Sequence, residues 1–300
     1  HDAGHILGSS FIKINKNGKS AIFSGDLGNK EKPIVRNFEY PDDADIVYTE
    51  TTYGDRNHRS FKESKEEFLT AITETFKNNG NVLIPSYATE RAQDILYMLR
   101  EFYEQGLLPK CSVFLDSPLA LNVTNIFVQN FSYFKEDNIP LFKKGDPFDF
   151  PYLSIVKDIE ESKSINKISE RAIIIAGSGM LHGGRILHHL KHNIWKKENA
   201  VIFVGYQAKG TLGRRIVEKE EKVHILGENF KVNAKIYTIN GFSSHADQKE
   251  LMEWITALKK KPQKICLVHG DEDVMNVYKA KLEEIGYNVY IPVYGEGINF

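Results

Sequence analysis

The chain has 300 residues and 41% hydrophobic content, enough apolar material for the cores of about two domains. Lysine and arginine total 39 against 40 aspartate and glutamate, so no whole-molecule field attracts a polyanion and any such ligand needs a local basic cleft. Cys111 and Cys266 have no CxxC context and no stretch reaches the roughly 20 apolar residues of a membrane span, so the expectation is a soluble, cytoplasmic protein whose thiols are buried and bind no metal.

In chain order, Ser10 to Ile14 and Ser20 to Phe23 read as a hairpin about Asn15-Lys16-Asn17-Gly18, and Asp45 to Thr49 as a buried strand. The polar stretch Gly54 to Ser60 leads into a helix ending near Asn79, with apolar Phe61, Phe68, Leu69, Ile72 and Phe76. Strand and helix then alternate: Asn81 to Pro85, Thr89 to Gln105, Cys111 to Leu115, Leu119 to Phe131. A loop with Pro140, Pro147 and Pro151 follows, then strands Ala172 to Ala176 and Ala200 to Val204 around a helix from about Gly183 to Trp195. Such alternation implies a largely parallel sheet covered by helices. Phe230 to Ile239 reads as one strand, followed by helix Gln248 to Lys259, strand Ile265 to Val268, helix Asp273 to Ile285 and strand Val289 to Val293. Residues 57–234 form an inserted α/β lobe in this reading, and the flanks 1–56 and 235–300 make one discontinuous domain.

Histidines and an aspartate recur at the ends of apolar runs beside glycine or serine: His5, Asp26, His245 and His269. A hydrolytic zinc site needs this setting, because strand ends expose side chains at a sheet edge and small neighbours let metal and substrate approach the backbone. His188 and His192 stand one helical turn apart, but the glutamate of HExxH is absent and Arg185, Lys191 and Lys196 oppose a cation, so a solvated or cleft-facing helix is the better reading. His58 and His224 read as surface residues, Asp247 as a helix cap, Asp116 as part of a turn, and the mixed run Glu218 to Lys222 as a solvated face.

Eight segments stand in a telling order: Asp2-Ala3-Gly4-His5-Ile6-Leu7-Gly8-Ser9, Ser24-Gly25-Asp26, Glu50-Thr51-Thr52-Tyr53-Gly54-Asp55-Arg56, Asp116-Ser117-Pro118-Leu119-Ala120, Gly177-Ser178-Gly179-Met180, Gly210-Thr211-Leu212-Gly213, Phe242-Ser243-Ser244-His245-Ala246-Asp247 and Val268-His269-Gly270. Together they resemble the β-CASP branch of the metallo-β-lactamase superfamily, RNA-processing nucleases related to the endonuclease of the pre-mRNA cleavage and polyadenylation machinery. The stretches around Gly177 and Lys209 look closer to the polyadenylation-factor-like branch than to the RNase J branch.

The resemblance implies an α/β protein, a partial metallo-β-lactamase αββα sandwich with an inserted α/β β-CASP domain. It implies two zinc ions per complete site, His5 and His269 each binding one and Asp26 bridging both. Glu50 is expected to orient His245, which as general acid protonates the departing sugar oxygen, leaving a 5′-phosphate and a 3′-hydroxyl. Ser243, Ser178, Gly179, Lys209 and Gly210 resemble family segments that face phosphates, with Arg91, Arg185, Arg214 and Arg215 as cationic supplements. Single-stranded RNA in a cleft between the two domains is the implied partner, favoured over DNA by the histidine at 269. The resemblance allows a homodimer and involves no membrane.

The family's HxHxDH motif does not occur in this chain. The expectation drawn from that is a chain beginning within a strand and lacking most of the zinc shell, inactive by itself and prone to aggregate through an uncovered apolar face. Two other functions stay open at this level: a non-catalytic RNA-binding or scaffold subunit, and a DNA-directed or small-phosphodiester hydrolase of the same superfamily.

Overall fold

The computed structural model describes residues 1–298. The chain forms the hairpin β1 (Ile12–Lys16) and β2 (Lys19–Phe23), then β3 (Ile46–Glu50). Asn17 and Gly18 both take positive φ, 51° and 76°, so the reversal is a two-residue turn and the strands pair up to Lys16 and Lys19, closer to the turn than expected. α1 (Phe61–Lys77) starts at a capping box, with Ser60 Oγ accepting from the Glu63 amide and the Glu63 carboxylate from the Ser60 amide. The alternating region follows as β4 (Val82–Pro85), α2 (Arg91–Glu104), β5 (Ser112–Asp116), α3 (Pro118–Gln129), α4 (Ile139–Lys144), β6 (Leu153–Ile155), α5 (Ile159–Ile165) and β7 (Ala172–Ala176). It continues as α6 (Arg185–Asn193), β8 (Ala200–Phe203), α7 (Leu212–Val217), β9 (Lys222–Ile225), β10 (Glu228–Lys231) and β11 (Lys235–Thr238). α8 (Gln248–Thr256), β12 (Lys264–Val268), α9 (Glu272–Glu284) and β13 (Val289–Tyr290) close the chain.

Two compact units emerge. The first comprises His1–His58, Tyr133–Lys135 and the described chain from Ser243 onward. Its five-stranded sheet runs β1-β2-β3-β12-β13, antiparallel at β1–β2 and parallel at the other pairings. One face contributes Ile22, Val47, Ile265 and Leu267 to a core shared with Leu251, Trp254 and Ile255 of α8 and with Tyr278 and Leu282 of α9. Trp254 is fully buried and its Nε1 donates to the Glu39 carbonyl at 3.0 Å, which is how a large indole is accommodated without an unsatisfied donor. Ile12, Ile14 and Phe23 of the hairpin are exposed, Phe23 stacking on Tyr48 at 4.6 Å.

The second unit comprises Arg59–Ser132 and Glu136–Phe242. Its six-stranded sheet, β11-β8-β4-β7-β5-β6, is parallel throughout, as the strand–helix alternation implies. Central β7, Ala-Ile-Ile-Ile-Ala, is buried at every residue, because helices cover both faces. A separate ribbon pairs β9 with β10 about Leu226 and Gly227, both at positive φ.

Three readings change. Residues 230–239 are not one strand: β10 pairs with β9, and β11 pairs with β8, the chain stepping between them where Asn233 and Ala234 amides both donate to the Ile194 carbonyl. β11 therefore joins the second unit's sheet, beyond the position expected for the end of the inserted lobe. The proline-bearing loop holds α4, β6 and α5, elements of 6, 3 and 7 residues, too short for periodicity to register. Among the described residues no helix is long and apolar enough to cross a membrane.

Candidate active site

Three parallel strands of the first unit end side by side, and the positions just beyond a parallel strand's carboxyl end are where a sheet offers side chains to a ligand. β2 runs into Ser24-Gly25-Asp26, β3 ends on Glu50, and β12 runs into His269, with Val268 in register with Glu50. His269 has a left-handed backbone, φ 49°. Gly270 must follow it, because a Cβ there would lie 2.4 Å from Thr51 Oγ1. The Thr51 amide donates to the His269 carbonyl (3.1 Å) and Thr51 Oγ1 to the Val268 carbonyl (3.0 Å), pinning this turn to the end of β3.

His5 and His245 lie on loops held against residues 25–29. The Gly28 amide donates to the Ala3 carbonyl at 2.8 Å, and a Cβ on Gly28 would sit 1.8 Å from the Gly4 carbonyl oxygen. On the opposite side Ala246 donates to the Leu27 carbonyl (2.8 Å) and Asn29 to the Ser244 carbonyl (2.9 Å). This strip thus positions the two histidines relative to Asp26.

The side chains converge. Asp26 Oδ1 is 3.0 Å from His269 Nδ1, and Asp26 Oδ2 is 3.8 Å from His5 Nε2. Ring centroids of His5 and His245 are 4.4 Å apart, and those of His245 and His269 are 5.7 Å apart. Glu50 accepts from His245 Nδ1 at 3.1 Å through each oxygen and from the Leu27 amide at 2.6 Å. Side-chain exposure rises from 0% at Glu50 through 19% at His245 to 41% at Asp26 and 58% at His269. The Glu50–His245 pair therefore occupies the closed end, and Asp26 with His269 the open one.

Burial, reinforced by His245 and Lys32, lowers the pKa of His5 to about 4, so its ring is neutral near pH 7. The hydrogen bond from His269 lowers Asp26 to about 2 against the opposing effect of burial, and the same bond raises His269. Neutral imidazole and ionised carboxylate are the forms that ligate zinc. His5 Nε2, 3.8 Å from Asp26 Oδ2, is too far for a hydrogen bond, and a cation between the two would be ligated by both. The donor atoms of His5, Asp26 and His245 lie within 4.8 Å of one another, as do those of Glu50, His245 and His269. With Glu50 and His245 bonded to each other, His5, Asp26 and His269 are left as the nitrogen and oxygen donors that fit a zinc centre. Both cysteines lie outside these groups, Cys266 buried and Cys111 half-buried with its thiol pushed up to about 12 by burial.

Other expectations fare unevenly. Asp247 caps α8, its carboxylate accepting from the Glu250 amide. His58 is not a surface residue: Nε2 donates to the His245 carbonyl at 3.0 Å, its amide donates to Asp247 at 3.0 Å, and its ring meets Tyr53 edge-on at 4.5 Å. Ser243 is buried and its Oγ accepts from the His245 amide at 3.3 Å, so it shapes the turn that carries His245.

Within the second unit, Ser178 and Gly179 lie between β7 and α6, and Lys209 and Gly210 precede α7. Ser178 Oγ accepts from the amides of His182 (3.0 Å) and Gly183 (3.3 Å), which closes that loop on itself. The Gly179 carbonyl accepts from Gln207 Nε2 at 3.0 Å, while Lys209 and Gly210 are exposed. All four supplementary arginines carry a carboxylate: Arg91 with Asp94 (3.2 Å), Arg185 with Asp116 (2.5 Å), Arg214 with Glu218 (2.6 Å) and Arg215 with Glu220 (2.5 Å). Asp116 does more than shape a turn. It is buried at the end of β5, accepting from Ser162 Oγ (2.5 Å), Arg185 and His189 Nε2 (2.6 Å). His189 is accordingly buried, whereas His188 and His192 are exposed, as a solvated or cleft-facing helix implies for them.

Two family models match this chain: "Beta-Casp domain" over residues 92–216, and "Zn-dependent metallo-hydrolase RNA specificity domain" over residues 229–292, a span that includes His245 and His269. The chain is 42% identical over 298 residues to Ribonuclease TTHA0252 of Thermus thermophilus, covering 99% of this chain and 68% of the ribonuclease. It is 35% identical over 288 residues to Transcription termination factor FttA of Methanocaldococcus jannaschii, covering 91% of this chain and 44% of that protein. A crystal structure of a protein of unknown function from Enterococcus faecalis V583 shares the fold, with a TM-score of 0.51 at 12% identity over 98% of this chain and 61% of that one. Since the ribonuclease matches this chain over two thirds of its own length and both family models fall in order along the sequence, the chain belongs to the β-CASP RNA-processing nucleases of the metallo-β-lactamase superfamily.

Proposed function

We propose that this protein is a zinc-dependent ribonuclease that hydrolyses phosphodiester bonds of single-stranded RNA. The observation that carries the proposal is the placement of the Asp26 carboxylate with one oxygen toward His5 and the other toward His269, beside the buried Glu50–His245 pair. The name of the 42% identical relative and the description of the second family model favour RNA over other phosphodiesters.

His5, Asp26 and His269 are the residues of this chain that would hold zinc. Zinc supplies Lewis-acid activation of water and of the phosphate under attack. Glu50 holds the Nδ1 proton of His245 and thereby turns Nε2 toward the substrate; protonated there, His245 delivers its Nε2 proton to the departing 3′ oxygen. The Leu27 amide fixes Glu50 in turn, so the pair is preorganised before substrate arrives. Exposed Lys209 and Gly210, with the Gly179 loop, hold backbone phosphates, while Ser243 and Ser178 act by fixing the loops that carry His245 and Gly179.

The test is cleavage of matched RNA and DNA oligonucleotides by the zinc-loaded full-length protein, before and after chelation. RNA cleavage that EDTA abolishes and zinc restores supports the proposal. Equal cleavage of both polymers, or cleavage indifferent to EDTA, contradicts it.

A further inference from the structure

The backbone around His245 is held by a residue outside the set assigned so far. The His245 carbonyl accepts from His58 Nε2 at 3.0 Å, which places the single proton of a neutral His58 ring on that nitrogen, since a carbonyl only accepts. The His58 amide donates to Asp247 Oδ2 at 3.0 Å, while the other Asp247 oxygen accepts from the Glu250 amide (2.9 Å) to cap α8. His58 thus bonds to the chain at 245 and again at 247.

The flanking residues reinforce this seam. Gln248 donates through its amide to the Arg56 carbonyl (3.0 Å) and through Nε2 to the Gly54 carbonyl (2.6 Å), and the Lys249 amide donates to Asn57 Oδ1 (3.1 Å). The His58 ring rests edge-on against buried Tyr53, whose centroid lies 6.4 Å from that of His245. Residues 54–58 therefore zip along residues 245–249. In this seam it is His58 that reaches the His245 carbonyl, while the His245 ring is held by Glu50.

We propose that His58 is a positioning residue for His245: by holding the His245 carbonyl it sets the direction in which the His245 ring presents Nε2 to the leaving group. This rests on the reading of His245 as the general acid. A misplacement of about an ångström is worth up to two orders of magnitude in such a step, so loss of the bond should be felt in turnover and not in zinc or substrate binding.

The discriminating measurement is leaving-group dependence. A ribose 3′ oxygen needs a proton as it departs, whereas p-nitrophenolate leaves readily without one, so a defect in acid catalysis slows RNA cleavage and spares bis(p-nitrophenyl) phosphate. His58→Leu retains the apolar contact with Tyr53 but loses the donor, and His58→Gln offers an amide N–H near the position of Nε2. In the zinc-loaded full-length protein, His58→Leu is expected to lower kcat on RNA about 10- to 100-fold with KM within about 2-fold, zinc content unchanged, and bis(p-nitrophenyl) phosphate turnover within about 3-fold. His58→Gln should recover most of the RNA activity. Equal losses on both substrates, lost zinc, or undiminished RNA cleavage by His58→Leu would overturn the assignment. His245→Ala run alongside separates the two readings: if it discriminates between the substrates and His58→Leu does not, only the role of His58 falls; if His245→Ala does not discriminate, the acid role falls and the role of His58 with it.

Discussion

Replacing Glu50 by glutamine tests the acid pair without altering its shape. Glu50 is buried, and its oxygens serve His245 Nδ1, the Leu27 amide and, at 3.4 Å, the Thr52 amide. A glutamine has one oxygen for these donors. The shortest bond, 2.6 Å to Leu27, holds that oxygen, which also stays within 3.1 Å of His245 Nδ1, while the amide nitrogen takes the place of the other oxygen and gives up its bonds from Nδ1 and from the Thr52 amide. The imidazolium that would donate the Nε2 proton is then no longer supported by a carboxylate. General acid catalysis is worth about 10²–10⁴-fold, so we expect single-turnover cleavage of end-labelled RNA to fall about 10²–10³-fold, roughly 2.7–4 kcal/mol of barrier. Loss of charge-assisted bonds to buried donors should also cost about 1.5–3 kcal/mol of stability. The assay is rapid-quench cleavage at saturating enzyme with bound zinc quantified in the same sample. RNA cleavage by Glu50→Gln within about 3-fold of the parent, at equal zinc content, would refute the reasoning.

Three further outcomes are expected. Removing zinc with EDTA should lower the melting temperature of the first unit as well as abolish RNA cleavage, because zinc binds the folded convergence of His5, Asp26 and His269 and not the unfolded chain; calorimetry that shows no change on zinc removal would count against this. Gly28→Ala places a methyl group 1.8 Å from the Gly4 carbonyl oxygen, which should cost about 1–3 kcal/mol of stability and reduce zinc retention, measured by denaturant melts and metal analysis. Burial pushes the Asp116 carboxyl up, but bonds from His189, Ser162 and Arg185 outweigh it and hold the pKa below the ordinary carboxylate range. A depressed folded-state pKa stabilises above the unfolded value of about 3.9 and the benefit is lost as pH falls through the folded one, so the second unit should weaken below about pH 4 and Asp116→Asn should flatten that dependence.

His5, Asp26, His245 and His269 were legible because each sits beside glycine or serine at the edge of an apolar run, a local signal that does not depend on knowing which strands pair, whereas Glu50, flanked by Thr49 and Thr51, was legible only through the motif it belongs to. Strands β4, β5, β7 and β8 of the second unit's parallel sheet were legible because apolar runs alternate with helical periodicity, while the three-residue β6 was not. The supports were not. His58 stands in a polar stretch with no periodicity, and its partner is a backbone carbonyl 187 residues away. His189 carries the same exposed-face pattern as His188 and His192 until α6 is rotated against β5, and only Asp116 distinguishes it. The run from Phe230 to Ile239 misled because alternation persists through Val232 and Ala234, where the chain leaves one sheet for another.

The strip at residues 25–29 ties two functions to one ruler. The loop bearing His5 is bonded along one edge and the loop bearing His245 along the other, so a one-residue insertion or deletion there would shift both histidines out of step with Asp26 simultaneously. Libraries that vary length in this protein should therefore recover working clones from the surface connections and none from this strip.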